Sequence, residues 1–163
     1  MALELVERAR DVVAQVVDPE LPMLTLEDLG VLRDVEVDDD TVVVTLTPTY
    51  SGCPALATMR ADVLVALRRA GYERAEVRTT LSPAWSSDWI SARGRAALAE
   101  HGVSPPRPNE GVIDLVLMPS RPPACPQCGS ADTREVSHFG TTACRSLHTC
   151  RDCGETFDHM KEI

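Results

Sequence analysis

The first half of the chain alternates between helical and strand-like spacing of its hydrophobic residues. Seven apolar residues at helical spacing predict a first helix that Pro19 ends: Leu5, Val6, Ala9, Val12, Val13, Val16 and Val17. A second amphipathic set predicts a helix stopped by Gly71: Leu56, Met59, Val63, Leu67 and Ala70. Between these helices, residues 30–37 and 41–47 predict two strands, which an Asp-Asp-Asp turn joins as a hairpin.

The pattern continues with a third strand at 76–81, followed by a helix that begins at Ser87 or Asp88 and runs towards Gly102. A final strand is predicted at 111–117. This order of elements predicts an α+β protein, a small two-layer α/β sandwich with its helices on one face of a mixed sheet.

Two proline-rich stretches divide the chain. The first holds Pro105, Pro106 and Pro108, and the second lies at 119–123. Proline-dense segments resist helix formation and act as semi-rigid spacers. We therefore expect a main α/β domain over 1–118, a proline-rich linker over 119–123 and a small C-terminal domain over 124–163.

The C-terminal segment carries two matched cysteine pairs, Cys125-Pro-Gln-Cys128-Gly and Cys150-Arg-Asp-Cys153-Gly, with 21 residues between them. Two residues between thiols allow one tight turn to direct both sulfurs at the same cation. The glycine after each pair accepts the left-handed backbone that closes such a turn. Two such knuckles joined by a hairpin-sized insert predict a four-thiolate zinc ribbon, with Cys125, Cys128, Cys150 and Cys153 as ligands.

A four-thiolate zinc site has no open coordination position, so we expect a structural role that helps this short segment to fold. Two disulfides are the alternative. The N-terminal residues are acidic and lack a basic start and a long apolar run, so we expect no signal peptide and a cytoplasmic location that keeps thiols reduced. Iron in the same site, as in a rubredoxin-like electron-transfer protein, or thiol redox chemistry also stays open.

Charge and hydropathy narrow the set of partners. The net charge is −9, and residues 119–163 carry five basic and six acidic side chains without a basic stripe. Nucleic-acid phosphates need a positive surface, so we expect no nucleic-acid partner. No apolar run approaches the length of a membrane span, and we expect no membrane partner.

A second chemical feature is the loop at 47–54 (TPTYSGCP). Pro54 suits a first helical position, which places Cys53 at or beside the start of the second helix, where the helix dipole favours a thiolate. Such a thiolate could handle metal or act as a nucleophile, and a buried cysteine that only packs is equally compatible. Asp18 and Glu20 flank Pro19 after the first helix, either as a rigid acidic loop or as solvated charges at a helix end.

Several segments of the main domain resemble a family associated with iron–sulfur cluster assembly and targeting (SufT-like). They are residues 17–22 (VDPELP), the Leu-Gly at 29–30, and 47–54, and the resemblance covers about residues 3–82. Nearly the whole chain is similar to the D-subunit family of bacterial phenylacetyl-CoA epoxidase (PaaD-type). This second resemblance adds 85–90 (WSSDWI), Gly94-Arg95, 102–106 and both knuckles.

The resemblance implies a non-catalytic accessory or maturation factor in aerobic phenylacetate degradation, with the epoxidase diiron and reductase subunits or iron–sulfur assembly proteins as partners. It points to Asp18, Glu20, Thr49 and Cys53 as residues that handle iron or a cluster, so a transient iron or iron–sulfur cofactor joins the structural zinc. No catalytic residue is assigned. The chain lacks the diiron, nucleotide-loop and ferredoxin motifs of the catalytic subunits. A homo-oligomer is left open.

Three other residue types remain outside these motifs. Cys144 lies in the ribbon insert, where packing is favoured over a spare ligand or a cluster-transfer thiol. The ribbon histidines, His138, His148 and His159, lack the spacing of zinc ligands, and we expect exposed strand positions for them. Trp85 and Trp89 predict one core side chain and one partly exposed side chain.

Overall fold

The computed structural model describes residues 2–109 and 121–163. By its internal contacts the chain forms two compact units, Met1–Gly94 and Arg95–Ile163. The predicted strand at 111–117 lies outside the described residues, as does the start of the predicted linker at 119–123. The expected domain division at residue 118 thus stays a prediction, while the contacts divide the chain after Gly94.

The first unit is built on a three-stranded sheet. Its elements are α1 (Ala2–Val13), β1 (Leu32–Asp38), β2 (Thr41–Leu46), α2 (Leu56–Arg69) and β3 (Ala75–Thr79). β1 and β2 form the predicted antiparallel hairpin, and β2 pairs with β3 in parallel, so the sheet is mixed. α1 contacts β1, α2 contacts β3, and the two helices contact each other. Both helices therefore cover one face, and the predicted α+β class is confirmed.

The apolar pattern places the core of this unit. β2 is the central strand, with Val42, Val43, Val44 and Leu46 buried. α2 buries Met59, Val63 and Leu67, which recur at helical spacing. Burying valine and leucine side chains stabilises such a sandwich by about 1.5–3 kcal/mol each, which compensates for the low aromatic content of 4%.

The first helix is shorter than its apolar pattern predicts. α1 ends at Val13, whereas the pattern continues to Val17. Val17 instead forms an isolated antiparallel bridge with Thr25, and the amide of Asp18 donates to the carbonyl of Leu24 over 2.9 Å. Tertiary pairing with the next loop therefore competes with the helix and wins over its last turn.

A buried carboxylate fastens the loop before β1. Asp28 is 7% exposed and accepts hydrogen bonds from Thr25 Oγ1, Ser91 Oγ and the guanidinium of Arg93, whose closer nitrogen lies 2.6 Å away. Burial alone raises its pKa, but the bonds from Arg93, Ser91 and Thr25 outweigh that effect and hold the pKa of Asp28 below its usual value. This ionised carboxylate joins the 25–30 loop to residues 91–93 within the first unit.

The tryptophans behave as expected. Trp85 is buried and its indole N–H donates to the carbonyl of Leu29 over 2.9 Å, while Trp89 is half-buried under the guanidinium of Arg33. The predicted third helix is split into a 3₁₀ turn at Ser87–Trp89 and α3 at Ala92–Glu100. Gly30, at φ +77°, lies so close to Trp89 that a Cβ atom there would come within 2.6 Å of the Trp89 Cβ.

The second unit contains a four-stranded sheet in the order β4-β7-β6-β5. Its strands are β4 (Val103–Ser104), β5 (Thr133–Ser137), β6 (Arg145–Cys150) and β7 (Thr156–Met160). β5, β6 and β7 are antiparallel neighbours, and β4 adds to β7 in parallel. The sheet of the ribbon thus includes a strand that directly precedes the first proline-rich stretch.

Candidate metal centre and cysteine loop

The four predicted ligands form one cluster. The Sγ atoms of Cys125, Cys128, Cys150 and Cys153 all lie within 4.8 Å of one another. The Cys125–Cys153 sulfur distance is 3.7 Å, and the Cys128–Cys150 distance is 3.6 Å. A tetrahedral ion bound at about 2.3 Å from each thiolate requires sulfurs about 3.8 Å apart. The donor set and its spacing therefore fit a tetrahedral metal ion.

The two knuckles share one backbone geometry. The Gly129 amide donates to the Cys125 carbonyl over 2.8 Å, and the Gly154 amide donates to the Cys150 carbonyl over 3.1 Å. Both glycines have a left-handed backbone, with φ of 76° and 78°. This conformation disfavours residues with a Cβ atom, which explains why the same residue type follows both pairs.

The protonation of the four thiols is interdependent. Hydrogen bonds from backbone amides, first from Cys153 and then from Asp152, lower the pKa of Cys150 to about 7. The amide of Glu155 lowers the pKa of Cys153, but desolvation and hydrogen bonds with the other three thiols outweigh it and raise that pKa to about 12. Four crowded thiols thus hold their protons unequally, and metal binding must displace these protons.

Cys53 lies in the loop between β2 and α2, as the sequence predicts, but not at the helix cap. The cap position is Ala55, and the carbonyl of Cys53 accepts a hydrogen bond from the Leu56 amide over 3.3 Å. The thiol is 9% exposed. The side chain therefore lies just ahead of α2, close to the positive end of its dipole.

Threonines surround the start of this loop. Thr47 and Thr49 are buried, and the Thr47 amide donates to the Val31 carbonyl over 2.9 Å. The hydroxyl of Thr47 is buried without a hydrogen-bond partner among the described residues. Such a group costs about 1–3 kcal/mol of desolvation, so an orphaned hydroxyl in a native protein calls for an explanation.

Asp18 is not a solvated helix-end charge. It is 3% exposed, and its Oδ1 accepts the amides of Glu20 over 2.8 Å and Leu21 over 2.7 Å. Asp18 therefore shapes the loop after α1, while Glu20 is half-buried. Among the described residues, the four-cysteine cluster is the single group of three or more acidic, cysteine or histidine ligands within 4.8 Å. The structure does not bring Asp18, Glu20 and Cys53 together as such a group.

The prediction of exposed histidines is wrong for two of the three. His138 is exposed, but His148 is 5% and His159 is 7% exposed. β6 and β7 are the two inner strands of the second sheet, so these side chains have neighbours on both sides. Alternation along a short polar strand does not indicate this burial. Cys144 is buried as expected, with Thr142 Oγ1 at 3.0 Å from its sulfur.

Comparison with known proteins agrees with this division of sites. Residues 7–79 match a family model described as an iron–sulfur cluster assembly protein, and residues 116–161 match one described as the PaaD zinc beta ribbon domain. A crystal structure of the domain of unknown function DUF59 from Bacillus anthracis has a TM-score of 0.55 and 28% identity, covering 60% of this chain and 93% of that one. The class of protein is therefore an assembly-type α/β domain followed by a four-cysteine ribbon.

The full-length similarity is more specific. The chain is 40% identical over 152 residues to the D subunit of 1,2-phenylacetyl-CoA epoxidase from Escherichia coli K12, covering 92% of this chain and 88% of that protein. It belongs to the D-subunit family of this epoxidase. An Fe-S protein maturation auxiliary factor of Bacillus subtilis is 33% identical over 96 residues, which are 58% of this chain and 93% of that factor.

No helix among residues 2–109 and 121–163 has the length and apolar character needed to cross a membrane.

Proposed function

We propose that the chain is a non-catalytic maturation factor of the phenylacetyl-CoA epoxidase system. It assists assembly of iron or iron–sulfur centres in the diiron or reductase subunits, either directly or together with iron–sulfur assembly proteins. The observation that carries this proposal is the similarity to the epoxidase D-subunit family over nearly the whole chain, combined with an assembly domain that has a cysteine in its strand–helix loop.

Cys53 is the residue that we assign to handling of the metal or cluster. It is a thiol near the start of a helix, where the dipole and the unpaired amides favour the thiolate that binds iron. Thr49 is buried in the same loop, and the orphaned hydroxyl of Thr47 offers a hydrogen-bond donor to a sulfur or a bound ligand. Asp18 holds the preceding loop in shape, and the half-buried Glu20 offers a carboxylate there.

The ribbon serves as a structural docking module in this proposal, with zinc held by Cys125, Cys128, Cys150 and Cys153. Four thiolates saturate a tetrahedral zinc ion, which leaves no coordination position for substrate. The metal then contributes to folding of the second unit, and chemistry with iron falls to the other unit.

A second candidate is a rubredoxin-like electron-transfer protein with iron in the four-cysteine site. The observation that favours it is the exposure of Cys128 and Cys153, since solvent-accessible ligands give electrons a short route to a partner. Metal analysis and absorption spectra of anaerobically purified protein separate the two candidates. One zinc ion and no colour support the maturation factor, whereas an iron–thiolate spectrum supports the electron carrier.

The role of Cys53 is tested by Cys53→Ser, with Cys144→Ser as the matched control because both thiols are buried. Each variant replaces the wild-type chain in a host that grows on phenylacetate. We expect Cys53→Ser to keep the fold and the ribbon metal but to lower epoxidase activity and the iron content of the purified partner subunits. Cys144→Ser retains both. Normal growth and normal iron loading with Cys53→Ser would contradict the proposal.

A further inference from the structure

A cleft of about 510 Å³ lies within the Arg95–Ile163 unit, away from the four cysteines. Two buried histidines line it, and neither has a role in the sites described above. The polar side chains that line this cleft are Glu135, Ser146, His148, His159, Lys161 and Glu162.

His159 is fixed with one ring nitrogen directed at a carboxylate. Its Nδ1 lies 3.1 Å from the carbonyl of Ser104, and its Nε2 lies 3.3 Å from Oε2 of Glu162. A carbonyl only accepts hydrogen bonds, so Nδ1 carries a proton in this contact. Metal-binding histidines commonly donate their second N–H in this way, which leaves the other nitrogen to the ion.

Glu162 is held from its other side. Its Oε1 accepts a hydrogen bond from the amide of Arg107 over 3.0 Å. Burial alone raises its pKa, but the bonds from His159 and the Arg107 amide outweigh that effect and lower the pKa of Glu162 to about 2. A carboxylate that is ionised at neutral pH thus faces an imidazole nitrogen, and a backbone group positions each side chain.

A second histidine–glutamate pair lies beside the first. Nε2 of His148 is 4.0 Å from Oε2 of Glu135, and the His148 and His159 rings meet edge to face with centroids 5.6 Å apart. Ser146 Oγ lies 2.9 Å from the same Nε2, and His148 Nδ1 is buried without a partner among the described residues. A Ser–His–carboxylate triad needs the carboxylate on the opposite ring nitrogen, so this arrangement is not a hydrolytic triad.

We propose that this cleft binds a divalent transition-metal ion through His159 Nε2 and Glu162, with His148 and Glu135 as further ligands. Two imidazoles and two carboxylates form a donor set of intermediate softness that suits Fe²⁺, Co²⁺ or Zn²⁺ better than a thiolate-seeking ion. The four groups do not already lie within 4.8 Å of one another. Half-exposed Glu135 must move inwards to complete the set, so the site is open and exchanges its ion.

An anionic ligand fits the same cleft less well. Lys161 lines it, but its ammonium group donates to the carbonyl of Ala143 over 2.9 Å and lies 4.6 Å from the ring centre of Phe139. Both glutamates would oppose an anion. The proposed ion site is independent of the role assigned to Cys53 and stands or falls by itself.

The test adds Co²⁺ under anaerobic conditions to the full chain loaded with one zinc ion. Cobalt bound by nitrogen and oxygen gives weak visible bands, whereas cobalt in a thiolate site gives intense near-ultraviolet charge-transfer bands. We expect one further equivalent with the weak spectrum and full retention of zinc. The imidazole ¹⁵N resonance of His159 Nε2 shifts when the ion binds, and the Nδ1 resonance remains that of a protonated nitrogen.

Glu162→Gln is the sharpest variant, because its amide oxygen can still accept from Arg107 while an NH₂ group replaces the proposed ligand atom. We expect this variant and His159→Gln to bind Co²⁺ roughly tenfold or more weakly. The control Glu155→Gln changes an exposed carboxylate of the same unit and binds as the wild type does. No second equivalent in the wild type, a thiolate spectrum, or an unshifted His159 Nε2 resonance would overturn the proposal.

Discussion

The four-cysteine site and the Cys53 loop place thiols in opposite settings. The ribbon cysteines come from two knuckles with the same backbone bonds, and their sulfurs already have the spacing that one ion requires. Cys53 stands in a loop without two further ligands within 4.8 Å among the described residues. A preorganised cage keeps its ion, whereas a single thiol in a hydroxyl-rich loop needs a partner protein to complete the ligand set. The comparison therefore separates metal storage for folding from metal transfer.

The largest effect is expected from breaking the cage. Cys125→Ser or Cys150→Ser removes one buried thiolate, so about one metal ion per chain is lost and the second unit unfolds, because metal binding and folding are coupled there. The first unit remains folded. Metal analysis and amide NMR spectra report both results, and Cys144→Ser serves as the control. Full metal retention in these variants would remove the distinction between cage and loop.

The first unit should depend on a carboxylate instead of a metal. Asp28→Asn weakens the charge-assisted bonds from Arg93, and we expect the free energy of unfolding to fall by about 1.5–3 kcal/mol without loss of ribbon metal. Because the folded-state pKa of Asp28 is lowered, its contribution is present above its ordinary pKa and is lost as the pH falls through the folded value. Denaturant titrations at neutral and acidic pH measure both; Asp88→Asn, at an exposed acid, is the control.

A smaller effect concerns thiol reactivity in the zinc-loaded protein. We expect Cys53 to be alkylated faster than Cys144 at neutral pH, because the start of α2 stabilises the Cys53 thiolate, whereas Cys144 immediately precedes a strand. Mass spectrometry of peptides after timed alkylation gives the two rates. Equal or reversed rates would mean that Cys53 acts as a packing residue.

The smallest change in stability is expected for Thr47→Val. The substitution replaces a buried hydroxyl that has no partner among the described residues with a methyl group of similar size, so stability should stay within about 1 kcal/mol or rise. If the hydroxyl serves a bound ligand, iron loading of the epoxidase partners falls nevertheless. Thr45→Val on the preceding strand is the control. A large loss of stability would show that the hydroxyl has a structural partner in solution.

The sequence predicts best what is local. The knuckles are recognisable because ligand spacing and the following glycine lie within five residues, and the β1–β2 hairpin and α2 follow from short apolar patterns. The acidic loop is harder, because the burial of Asp18 depends on how the chain folds back through the Val17–Thr25 bridge.

The features that sequence patterns do not reveal depend on distant partners. Asp28 is bound by residues 63 and 65 positions later, and no local pattern marks it. His148 and His159 are buried because β6 and β7 are inner strands, which requires β4 to pair with β7. Strand order of this kind is not encoded in the spacing of polar and apolar residues within one strand.

That parallel pairing also bears on folding kinetics. Val103 pairs with Asp158 across 55 positions of the chain, whereas the members of each knuckle are three positions apart. Loop-closure entropy grows slowly, by about 0.6 kcal/mol for each doubling of length, so the long separation costs little at equilibrium. It does raise the contact order, and contacts of high sequence separation form slowly. The knuckles can therefore capture their ion before β4 joins the sheet, and the histidine cleft, which relies on Ser104 of β4, matures last.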